Sequence, residues 1–80
     1  MPKLTRRAKK DLDALPERLS TTARAIIDRL DDDPMVGKKL HGALAGRRSA
    51  RLGRSHRILY TATETEVIVL TVVARKDAYR

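Results

Sequence analysis

The chain has no cysteine, no tryptophan and no phenylalanine. Without cysteine there is neither a disulfide framework nor thiol chemistry, which fits a reducing cytoplasm. Large rings contribute most of the burial in small cores, and here only Tyr60 and Tyr79 are aromatic. No apolar run approaches the roughly 20 residues of a membrane-spanning helix. The start, M-P-K-L-T-R-R, has no apolar core of the signal-peptide kind. These absences predict a cytoplasmic protein with no membrane partner. Eighty residues are read as one domain, 1–80. A chain of this size buries only about 60–65% of its unfolded surface. Its core is built from alanine and leucine, so a permanent partner would add stability.

Acid is also missing from one whole stretch. The net charge is +8, yet seven of the ten acids lie between Asp11 and Asp33. From Lys38 to Arg57 there are seven basic residues and no acid: Lys38, Lys39, Arg47, Arg48, Arg51, Arg54 and Arg57. A phosphate backbone is the natural partner of such a block, because each neutralised phosphate releases counterions. Solubility alone would also account for a basic total, but the arginine bias of this block favours binding.

What is present reads as helices, then strands. Residues 2–5 carry a weak strand signal, and Thr5 is placed to cap a helix. Ala8, Leu12 and Leu15 recur at helical spacing. Pro16 interrupts the pattern and suits the first turn of a second helix. Leu19, Ala23, Ile26, Ile27 and Leu30 form its apolar stripe. Asp31-Asp32-Asp33-Pro34 reads as a solvated stop, since no second ligand set lies near enough to make a metal cluster. No metal or other cofactor is expected. Residues 34–46 read as a glycine-punctuated connection anchored by Leu40 and Leu44. Gly37-Lys38-Lys39 lacks both the earlier glycine and the hydroxyl of a Walker phosphate loop.

Residues 47–52, 56–62 and 67–74 read as three strands, with a turn at Gly53-Arg54-Ser55 and a polar tip at 63–66. Short connections imply antiparallel pairing. The predicted fold is α+β: two N-terminal helices on one face of a mainly antiparallel sheet. Strand alternation puts Arg57, Leu59 and Thr61 on one face, and His56, Ile58, Tyr60 and Ala62 on the other. Arg51 and Arg75 end the neighbouring strands and converge toward Arg57. Tyr79 follows, able to stack on a base or donate a hydrogen bond.

Several segments together resemble the RelE toxins of the RelE/ParE superfamily. They are R-R-A-K-K-D-L-D-A-L-P, L-x-G-x-L-A-G-x-R-S-A-R-L-G, H-R-I-L-Y, V-I-V-L-T-V and R-K-D-A-Y. The resemblance spans nearly the whole chain. It implies the toxin of a type II toxin–antitoxin pair that cuts messenger RNA in the ribosomal A site. By position it implies a catalytic set of Arg51, Arg57, Arg75 and Tyr79. It leaves Lys38, Lys39, Arg47, Arg48 and Arg54 as docking charges for ribosomal RNA. Its expected partners are a cognate antitoxin and the ribosome, with operator DNA met only through the antitoxin complex. Many relatives carry Gly-His before the final arginine, where this chain has Val73-Ala74. Ser49 stands at a position that is basic in others. Arginine transfers protons poorly, and alternation points His56 away from Arg57. A ParE-like gyrase inhibitor, or a relative that only binds its antitoxin, are the competing readings.

Overall fold

The computed structural model describes residues 2–78. A two-residue strand, β1 (Lys3–Leu4), leads into helix α1 (Arg6–Ala14). The Thr5 Oγ1 accepts a hydrogen bond from the Ala8 N–H at 3.0 Å, the N-cap the sequence predicts. Helix α2 (Glu17–Asp32) starts just after Pro16 and buries Ala23, Ile27 and Leu30. Three further strands carry most of the sheet: β3 (Arg48–Leu52), β4 (His56–Ala62) and β5 (Val67–Ala74).

The 34–46 connection holds more order than its composition shows. It contains β2 (Lys38–Lys39) and a single 3₁₀ turn (Gly42–Leu44). β2 pairs antiparallel with β3, Lys38 opposite Ser49. The sheet order is β1-β5-β4-β3-β2. Neighbours from β2 to β5 are antiparallel, while β1 runs parallel to β5, so the sheet is mixed.

One face of the sheet is apolar by strand alternation and is covered by both helices. Ala50, Leu52, Ile58, Tyr60, Val67, Val69 and Val72 pack there against Ala8, Leu12, Ala23, Ile27 and Leu30. The opposite face carries a smaller cluster of Leu40, Leu59 and Ala78, flanked by Leu44 and Val73. Ala78 reaches it because a 3₁₀ turn (Arg75–Asp77) folds the chain back after β5. This return covers part of the second face and leaves the rest to charged residues.

A β-bulge interrupts β5. Leu59 pairs with Thr71 and Tyr60 with Val69, so Leu70 is the extra residue. Helix α1 holds the bulge from the side. The Thr5 hydroxyl donates to the Leu70 carbonyl at 2.7 Å. Asp11 Oδ2 accepts from the Thr71 hydroxyl at 2.6 Å and from the Val72 N–H at 2.9 Å.

Candidate functional site

Register across three strands assembles the site on the second face. Arg51 on β3 sits directly opposite Arg57 on β4, and Arg57 sits opposite Val73 on β5. Arg75 lies two residues beyond Val73. Its N–H donates to the Ser55 carbonyl at 2.7 Å, tying the end of β5 to the β3–β4 turn. Arg51, Arg57 and Arg75 all line one cleft of about 570 Å³, joined by Lys38 and Ser49 from the sheet. Ile26 and Arg29 from α2, Asp33 at its C-cap and Val36 from the following loop join the lining.

Arg57 is the anomaly of the cleft. It is buried, 8% exposed, and its Nη1 donates to the adjoining His56 carbonyl at 3.0 Å. Ion pairs among the described residues join Lys3 to Glu66, Arg7 to Asp11 and Arg24 to Asp13. None of these involves Arg51, Arg57 or Arg75. Like charges directly opposite on adjacent strands are destabilising. Arg57 is therefore a buried guanidinium set opposite a second one, with no ion pair to a carboxylate among the described residues.

The loop before β2 is held by one phenol. Tyr60 is fully buried; its hydroxyl donates to the Pro34 carbonyl at 2.8 Å and accepts from the Gly37 N–H at 2.8 Å. Gly37 is required there, because a Cβ would stand 2.5 Å from the Tyr60 hydroxyl oxygen. The Arg48 Nη1 donates to the Gly37 carbonyl at 2.8 Å. These bonds fix the chain entering β2 and so place Lys38 at the cleft. Burial raises the Tyr60 pKa above its ordinary 10.0; the Gly37 amide and Arg48 oppose this, and Asp33 adds to it.

The structure divides the basic block. Arg51, Arg57 and Arg75 come together as the sequence predicts, and Lys38 joins them. Arg48 is turned to the helix-covered side, opposite Tyr60, and is occupied by the loop. Lys39, Arg47 and Arg54 are exposed and lie outside the cleft lining. Tyr79 falls outside the described residues. His56 is half-buried, pairs with Leu52 and Ala74, and bonds through Nδ1 to the Ser55 hydroxyl at 2.7 Å. It is absent from the cleft wall, as alternation predicts, and so is the exposed His41. Sequence reading missed Arg29, Asp33 and Val36. They reach the cleft because α2 packs against β3, and no local motif signals that.

The chain matches the family model described as ParE toxin of type II toxin-antitoxin system, parDE, over residues 3–79. No curated protein matches it in sequence. Among solved structures it resembles a chain of the RelBE2 toxin–antitoxin complex from Mycobacterium tuberculosis. That match has 35% identity and a TM-score of 0.84, covering 94% of this chain and 96% of that one. It also resembles a chain of the RelB–RelE antitoxin–toxin complex from Methanococcus jannaschii. Here identity is 21% and the TM-score 0.76, covering 96% and 94%. YafQ from Escherichia coli shares the fold at 14% identity and a TM-score of 0.81, covering 100% and 98%.

Proposed function

The chain belongs to the RelE/ParE superfamily of type II toxin–antitoxin toxins, and we propose that it is a ribosome-dependent messenger-RNA endoribonuclease. The observation that carries this reading is the meeting of Arg51, Arg57 and Arg75 in one cleft, without an ion-paired carboxylate among the described residues. A scissile phosphate in the cleft receives bidentate guanidinium donors. The ribose 2′-oxygen attacks phosphorus, the bond to the 5′-oxygen breaks, and the products end in a 2′,3′-cyclic phosphate and a 5′-hydroxyl. Charge builds up on the equatorial oxygens during attack, and fixed cations stabilise that state more than the ground state. Tyr79 completes the set by stacking on a base or donating to the substrate. Among the described residues no histidine lines the cleft; the proton leaving the 2′-hydroxyl and the proton reaching the 5′-oxygen are exchanged with Tyr79, solvent or ribosomal groups.

The exposed Lys38, Lys39, Arg47 and Arg54 supply docking charge for ribosomal RNA. Arg48 adds charge beside them while holding the loop. Two of the similar structures are toxin–antitoxin complexes, which supports a cognate antitoxin as partner. An acidic segment suits the cleft, because complementary charge steers the encounter. The match to a ParE family model favours one other reading, a gyrase inhibitor with no nuclease chemistry. The two separate in purified systems. The nuclease reading expects arrest of a reconstituted translation system and no effect on gyrase supercoiling. It also expects Arg57→Ala or Arg75→Ala to abolish the arrest while the variants stay folded by circular dichroism. Trapped gyrase–DNA cleavage complexes with undisturbed translation would reverse the assignment.

A further inference from the structure

We propose that Ser49 is a substrate-binding residue whose hydroxyl donates a hydrogen bond to a non-bridging oxygen of the nucleic-acid phosphate held by the arginines. The inference rests on the reading of the cleft as a phosphate site and adds a neutral donor to it. Ser49 is 5% exposed, and its Oγ is a buried side-chain polar atom with no hydrogen-bond partner. Buried polar groups are almost always paired, since an unpaired one costs about 1–3 kcal/mol.

Its position says what the hydroxyl is for. Ser49 lies on β3 between Lys38 and Leu59 in register, two residues before Arg51 and so on the same face. It lines the cleft together with Lys38, Arg51, Arg57 and Arg75. A serine hydroxyl rotates among staggered wells at small cost. The flanking Lys38 and Arg51 are exposed, and a phosphate would draw their long side chains toward itself. Both movements bring the hydroxyl to the anion. A short neutral donor beneath long cations reads the position of one phosphate oxygen, whereas the cations read only its charge.

A hydroxyl reserved for a ligand has opposite effects in the free and bound protein. Ser49→Ala removes an orphaned donor, so the free protein melts at the same temperature or higher. The same change weakens a 2′-O-methyl RNA trinucleotide, which cannot be cleaved, by about five- to tenfold. Melting of the free full-length chain and titration with that trinucleotide measure both, with Arg57→Ala in parallel. Equal affinity of wild type and Ser49→Ala, with binding lost in Arg57→Ala, overturns the role of Ser49 and leaves the phosphate site standing. A lower melting temperature in Ser49→Ala also overturns it, because the hydroxyl then serves the fold. No affinity in the wild type overturns the phosphate site and Ser49 together.

Discussion

At the scale of single residues, two side chains decide how the second face is used. Arg57 sits buried opposite Arg51, a pairing that folding alone does not favour. It was legible in the sequence because H-R-I-L-Y places one cation inside an apolar strand, and alternation then fixes its face. Tyr60 was only half legible. Alternation put it among the core residues, but its bonds to Pro34 and Gly37 span 26 and 23 positions, beyond the reach of any local pattern. Tyr60→Phe leaves the Gly37 N–H and the Pro34 carbonyl without this partner, at about 1–3 kcal/mol. For a chain this short that lowers the melting temperature by roughly 4–24 °C, read by calorimetry. The pH dependence follows from the raised pKa of Tyr60. The folded chain keeps the phenolic proton to higher pH than the unfolded chain. The stabilisation is therefore complete below about pH 10 and is lost as pH climbs through the raised value. The stability difference between wild type and Tyr60→Phe shrinks over that window.

At the scale of elements, the long pieces could be read and the short ones could not. Thr5 marked the start of α1 by its capping chemistry. The apolar stripe marked α2, and β-branched runs marked β5. β1 and β2 have two residues each, too few for any periodicity. Their existence is set by partners: β1 by Ile68 and Val69, some 65 residues away, and β2 by Ser49 and Arg48. The bulge at Leu70 was hidden for a related reason, since V-I-V-L-T-V is an almost continuous apolar run with no alternation to break. What holds it is Asp11 and Thr5 on another element. Asp11→Ala removes the acceptor for the Val72 N–H and the Thr71 hydroxyl. Partial solvent access limits the loss to about 1 kcal/mol, measurable by urea unfolding. The Val72 amide then exchanges faster with deuterium, while amides in the middle of β4 keep their protection.

At the scale of the whole molecule, the charge asymmetry seen in the sequence acquires a location. The acid-free block from Lys38 to Arg57 is split by the sheet into a cleft, a loop clamp and an exposed fringe. If the three arginines each meet a phosphate, the logarithm of single-stranded RNA affinity falls against the logarithm of salt with a slope of about −2. Removing Arg75 brings the slope nearer −1.4, a change that filter binding at several salt concentrations detects. The central claim is that this cleft cuts messenger RNA on the ribosome, and mapping RNA 5′ ends in a translating extract tests it most directly. The account predicts new 5′-hydroxyl ends within A-site codons, appearing with the wild-type chain and absent with Arg57→Ala. An extract whose messenger RNA stays intact while the wild-type chain still arrests translation would contradict it.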